Sequence, residues 1–145
     1  MTIGRLLERR EDSAIVSCPR SATVREAVRL LAARRIGALP VMDGNAVAGI
    51  FSERDIVYCL GEGGPGEVCL DDAVEKVMTS PAITVDRRTS VLEALGLMTR
   101  RRIRHLPVVD GDRLIAFVSI GDLVKYRLEE IQSEAESLRE YIQTA

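Results

Sequence analysis

Ser52 and Asp55 stand three residues apart directly after the apolar run Val47 to Phe51, and Ser119 and Asp122 do the same after Leu114 to Val118. Each pair falls where a strand-like run gives way to a helix, so hydroxyl and carboxylate can face one point beside the free backbone N–H groups of the helix start. A serine hydroxyl donates to phosphate, a carboxylate accepts from neighbouring hydroxyls, and a helix N-terminus favours anions. A single Ser-x-x-Asp is more often a helix cap than a binding site. Its duplication in equivalent surroundings favours binding. Catalysis is disfavoured, because neither serine has a histidine at a corresponding position and His105 is the only one in the chain. The expected set of catalytic residues is empty.

The two pairs belong to a longer repeat. A shift of 67 residues carries Ile36-Gly37-Ala38-Leu39-Pro40-Val41-Met42-Asp43-Gly44 onto Ile103-Arg104-His105-Leu106-Pro107-Val108-Val109-Asp110-Gly111. Val24, Glu26, Ala27, Leu30 and Arg34-Arg35 likewise match Val91, Glu93, Ala94, Leu97 and Arg101-Arg102. About sixteen of roughly forty aligned positions are identical without a gap, which establishes a tandem duplication. Two copies suit a closed pair rather than a solenoid.

A chain of 145 residues holds one compact domain or two very small ones, and units this small are expected to share a core. Hydrophobic residues make up 46% and charged residues 29%, with a net charge of -2, the balance of an ordinary globular chain. No run is long enough to span a membrane, and Met1 to Leu7 lacks the apolar core of a secretory signal, so a cytoplasmic protein is expected. The net charge argues against general nucleic-acid affinity despite the basic run Arg100-Arg101-Arg102 with Arg104. Cys18, Cys59 and Cys69 are odd in number and widely spaced, which predicts neither a disulfide framework nor a metal site.

Each repeat reads as strand, helix, strand, strand, helix. Ala14 to Cys18 is a strand ended by Pro19; Thr23 with Glu26 and Ser90 with Glu93 are capping boxes opening helices; and Gly37 is expected to relieve the backbone where the first of these helices ends. Asp43-Gly44 and Asp110-Gly111 mark hairpin turns. Gly61 to Gly66 reads as a flexible connection, Asp71 to Met78 as a short helix, and Ile83 to Val85 as the first strand of the second unit. The domain expectation is an arm over 1–13 packed on the first repeat, repeats over 14–66 and 67–127, and a helical extension over 128–145. In that extension Val124, Leu128, Ile131, Ala135, Leu138 and Ile142 form a short heptad seam that predicts packing on another subunit.

The Leu-Pro-Val and Asp-Gly signatures of both copies, with Gly49-Ile-Phe-Ser-Glu-Arg-Asp-Ile and Phe117-Val-Ser-Ile-Gly-Asp-Leu, resemble a pair of CBS domains, the tandem called a Bateman module. The resemblance covers about residues 14 to 127. It implies an α/β (α+β) fold of two units about a pseudo-twofold axis, with two clefts that take adenosine-containing ligands such as AMP, ADP, ATP, NAD or S-adenosylmethionine. It implies a regulatory homodimer with a further downstream partner rather than an enzyme, beside the expectation from the residues themselves of neither a metal site nor a membrane span. By resemblance each cleft is composite. One joins Ser52 and Asp55 to Ala82, Ile83, Ile103, Arg104, His105 and Pro107, with Arg54 assisting. The other joins Ser119 and Asp122 to Val16, Ile36, Gly37, Ala38 and Pro40. Arg104 and His105 stand where the other copy has Gly37 and Ala38, so the first cleft is expected to prefer more highly phosphorylated ligands and the second an uncharged or monophosphate end. Ala116 stands where the first copy has Gly49, a change expected to bear on the approach to ligand. The alternatives are a structural dimerisation module with vestigial clefts and, less favoured, a nucleic-acid binder.

Overall fold

The computed structural model describes residues 1–10, 14–61 and 66–144, with the backbone alone for 66–68. Most of the expected connection from Gly61 to Gly66, and the end of the expected arm at 11–13, lie outside the described residues. The element order is α1 (Ile3–Arg9), β1 (Cys18–Pro19), α2 (Val24–Arg34), β2 (Ala38–Asp43), β3 (Ala46–Ser52), α3 (Glu53–Gly61) and α4 (Gly66–Asp71). A 3-10 turn at Val74–Lys76 leads to α5 (Val91–Arg101), β4 (His105–Asp110), β5 (Arg113–Ser119) and α6 (Ile120–Thr144). This is the expected mixed α and β architecture, with the helix-strand-strand-helix order present twice and a leading strand only in the first repeat.

Local chemistry explains where the elements start and stop. Thr23 Oγ1 accepts from the Glu26 N–H and the Glu26 carboxylate accepts from the Thr23 N–H, both at 3.1 Å, which completes the capping box of α2. At α5 only the serine half forms, Ser90 Oγ accepting from the Glu93 N–H at 3.0 Å. The helices end on Arg35 and Arg102, held left-handed at φ 52° and 53°. Glycine relief at Gly37 is therefore not how α2 terminates. The hairpin turns do use glycine, Gly44 at φ 62° and Gly111 at φ 61°, where an L side chain would be strained.

β2 and β3 pair antiparallel, as do β4 and β5, and β1 adds to β2 in parallel through Cys18 opposite Val41. The expected strand Ala14 to Cys18 is thus reduced to Cys18–Pro19. Its counterpart in the second repeat is a single bridge of Val85 to Val108. The expected helix Asp71 to Met78 is also displaced, into α4 and the 3-10 turn.

Two expectations about packing are overturned. The repeats do not share one core: Val24, Ala27, Leu31, Leu39, Val41 and Phe51 form one buried cluster, and Val91, Ala94, Met98, Leu106, Val108 and Val118 form another. Small units can sustain separate cores here because each receives residues from the segment leading into the other repeat. α1 packs on the second repeat, not the first, and contributes Ile3 and Leu6 to its core. Val74, which precedes the second repeat, is buried in the first. The exchange is fixed by backbone bonds from Ile3 N to Thr89 O (2.8 Å) and from Val74 N to Ala22 O (2.7 Å). The reading of the cysteines is also corrected. α3 and α4 bring Cys59 and Cys69 together as a disulfide, with Cα atoms 6.1 Å apart, a pairing that a separation of ten residues did not disclose. Cys18 is buried, and its thiol is pushed up to about 11 by that burial and by the nearby Glu26 carboxylate.

Candidate functional site

The strand-to-helix junctions lie where β3 runs into α3 and β5 into α6, so the chemistry noted in the sequence sits at the ends of the central strands. A cavity of about 620 Å³ opens at the first junction and one of about 780 Å³ at the second. Both draw walls from both repeats.

The Ser52 cleft contains Ser52, Arg54, Ala82, Ile83, Ile103, Arg104 and His105, all expected there. It also contains Gly37, which had been assigned to the other cleft, and Ala38. The Ser119 cleft gathers Ser119, Asp122, Val16, Ile36 and Ala38 as expected, together with His105. Three of the expected residues do not line either cavity. Pro40 and Pro107 are buried in mid-strand, opposite Ile50 and Phe117. Asp55 is only 7% exposed, and its carboxylate accepts from the Ser52 N–H (2.8 Å), the Ser52 hydroxyl (3.3 Å) and the Thr79 hydroxyl (2.9 Å). It knots the junction together.

Asp122 has a different environment. Its side chain is 37% exposed and accepts from the Ser119 N–H at 2.9 Å, while Ser119 Oγ accepts from the Asp122 N–H at 3.1 Å. Arg10, at the end of α1, lies 3.7 Å from that carboxylate and donates to the Phe117 carbonyl at 3.1 Å. The arm therefore contributes a cation to a cleft expected to lack one.

Several lining residues were missed by sequence reasoning. Arg101 and Arg102 line the Ser52 cleft and Arg34 the Ser119 cleft, so the basic run is turned into a cavity. Arg34 and Arg101 are equivalent in the repeat, and the duplication that singled out the serines marks them too. Arg87 is matched by Arg20 in the repeat, whereas Arg10, Thr79 and Glu53 have no such signal. Among the described residues, four arginines face one glutamate in the Ser52 cleft, against three arginines facing Glu8 and Asp122 in the other. The Ser52 cleft remains the more positive, but the contrast is smaller than expected.

His105 stacks on Phe117 with centroids 5.4 Å apart and planes 10° apart. Burial lowers its pKa below the ordinary histidine value, opposed by the Asp122 and Glu53 carboxylates and reinforced by Arg104. Among the described residues no cluster of His, Cys, Asp and Glu has metal-ligand geometry, and no helix is long and apolar enough to cross a membrane.

Two helix-strand-strand-helix units, one led by a short strand and the other by a single bridge, joined around paired composite clefts define a tandem module, and the CBS domain family model matches residues 11–62 and 74–129. The chain belongs to the CBS domain family. It is 37% identical over 137 residues to the mitochondrial CBS domain-containing protein CBSX3 of Arabidopsis thaliana, covering 91% of this chain and 66% of that protein. The CBS-domain-containing protein ATU1752 of Agrobacterium tumefaciens superimposes with a TM-score of 0.79 at 34% identity, over 88% of this chain and 99% of that one. A CBS domain protein of Pyrobaculum aerophilum, complexed with AMP, gives 0.72 at 29% identity, over 84% and 89% of the two chains.

Proposed function

We propose that this chain is a regulatory protein that binds adenine nucleotides across its two repeats and transmits their presence as a change of shape. The observation carrying this reading is the Ser52 cleft. Ile50, Ile83 and Ile103 offer apolar walls to a base, while Arg54, Arg101, Arg102 and Arg104 with Ser52 at the start of α3 offer charge and hydrogen bonds to phosphates. The AMP complex of the Pyrobaculum protein supports the ligand class. We assign ADP or ATP to this cleft and AMP to the less positive Ser119 cleft, where Asp122 is open to ribose hydroxyls. NAD and S-adenosylmethionine are the competing ligands. The arrangement favours regulation over catalysis, and a cytoplasmic setting is part of the proposal.

α6 is the proposed reporter. Asp122 lies in its first turn at the Ser119 cleft, and 25 helical residues extend about 37 Å from there. A ligand that favours one closure of the repeats tilts this rod. Val124 on α6 and its repeat counterpart Val57 on α3 are exposed, as are Leu128, Ile131, Leu138 and Ile142. We assign this apolar face to a second copy of the chain, giving a homodimer that presents the helix ends to a downstream partner.

The test is isothermal titration of nucleotide-free protein with AMP, ADP, ATP, NAD and S-adenosylmethionine, with light scattering to establish the dimer. Micromolar ATP binding, weakened at least tenfold by Arg101→Glu, and AMP binding, weakened similarly by Asp122→Ala, is the expected result. No heat with any of the five would replace this reading with a structural dimerisation module.

A further inference from the structure

His105 and Ala38 occupy equivalent positions in the repeat, each at the first residue of a strand opposite the cleft serine, Ser119 and Ser52 respectively. Both residues line both clefts. One repeat therefore places a methyl group at the shared wall and the other an imidazole. A Cβ added at Gly37, in the Ser52 cleft, would lie 3.7 Å from His105 Cε1, whereas the ring stacks on Phe117, which lines only the Ser119 cleft.

We propose that His105 is a single proton-binding group shared by the two clefts, so that an anionic ligand in either one strengthens anion binding in the other. This rests on the nucleotide-binding reading only for the identity of the anion. The groups facing His105 are Asp122 from α6, with Arg10 of the arm beyond it, on the Ser119 side, and Glu53 from α3 with Arg104 on the Ser52 side. Burial holds the empty protein's imidazole toward its neutral form. A phosphate arriving from either side favours the charged form. The proton taken up with the first ligand is then already in place for the second.

The coupling has a definite size and pH dependence. If each ligand strengthens proton binding to His105 about tenfold, the second ligand binds about threefold tighter when the pH equals the midpoint of the singly occupied protein. The gain fades at lower pH, where His105 is charged throughout, and at higher pH, where it stays neutral. Direct repulsion between two anions works against the effect but does not depend on His105.

His105 is the only histidine, so its Cε1–H proton resonance reports the titration without assignment ambiguity. Val16→Trp fills the Ser119 cleft and Ala82→Trp the Ser52 cleft, leaving one open in each variant. The probes are AMP and inorganic tripolyphosphate. The expected result is a rise of the His105 midpoint in both variants, with at least one probe acting through each open cleft. In the parent protein, proton uptake, measured by calorimetry in two buffers of different ionisation enthalpy, accompanies the threefold coupling. His105→Phe retains a ring against Phe117 and is expected to lose both. A midpoint that moves through only one cleft, or through neither, overturns the inference. So does coupling that survives in His105→Phe, a comparison that stands even if a tryptophan variant fails to fold. Tripolyphosphate acting while AMP is silent would overturn the adenine reading and leave the shared proton standing.

Discussion

The two Ser-x-x-Asp junctions have the same residues at the same spacing and end in different states. At the first, Asp55 is buried and bonded to Ser52 and Thr79; at the second, Asp122 remains open beside Arg10. The cause lies in the strand that leads into each junction. Gly49 lets Thr79 approach so closely that a Cβ there would meet Thr79 O and Met78 Sδ at 2.7 Å, and Ile50 and Thr79 exchange backbone bonds of 3.0 and 2.9 Å. The second repeat has Ala116 at that position, and the equivalent carbonyl, Phe117 O, accepts from the Arg10 side chain instead. A motif's residues fix what it can bond, while a neighbour's missing methyl decides whether those bonds are spent on structure.

The largest effect should come from the aspartates themselves. Asp55→Ala removes three hydrogen bonds to a buried carboxylate and leaves the Ser52 N–H and the Thr79 hydroxyl without partners, a loss of about 3 kcal/mol. Asp122→Ala removes a half-exposed group and should cost about 1 kcal/mol or less. Urea denaturation of the two variants measures the difference. Equal losses would break the distinction between a structural and an open junction.

Glycine exchange between the strands comes next. Gly49→Ala forces a methyl into contact with a backbone carbonyl, costing about 1 to 3 kcal/mol. It should also release Thr79 from Asp55, opening the first carboxylate toward the state of the second. The reverse change, Ala116→Gly, costs about 0.5 to 1 kcal/mol from backbone freedom alone. Thermal denaturation ranks the pair, and protection of the Thr79 amide from hydrogen exchange tests whether the contact was lost.

Much of this was legible in the sequence, for a physical reason. The repeat, the caps at Thr23 and Ser90, the hairpin turns and the cleft serines depend on bonds between residues close in the chain, and such bonds leave fixed spacings. The exchange of α1 and Val74 between repeats left none, because an apolar residue fits either core equally well by composition. The burial of Asp55 was hidden likewise, since it depends on Thr79, 24 residues away. The Gly49 and Ala116 difference was visible, but it suggested an effect on ligand approach. Its consequence is a backbone contact, which only the path of the chain after Val74 reveals.

The smallest test separates stability from binding at the two helix ends. Arg35 and Arg102 are both left-handed, a conformation costing an L residue about 1 to 2 kcal/mol, while glycine there adds about 0.5 to 1 kcal/mol of unfolded-chain entropy. Arg35→Gly and Arg102→Gly should therefore each stabilise the fold by about 0.5 to 1 kcal/mol, a rise of a few degrees in Tm. Their effects on ligand should diverge, because Arg102 lines the Ser52 cleft and Arg35 lines neither. Only Arg102→Gly should weaken ATP, by about tenfold if its guanidinium meets a phosphate directly. Equal ATP affinity in the two variants would show that Arg102 keeps its strained conformation without serving the ligand, leaving Arg54, Arg101 and Arg104 to carry the phosphates.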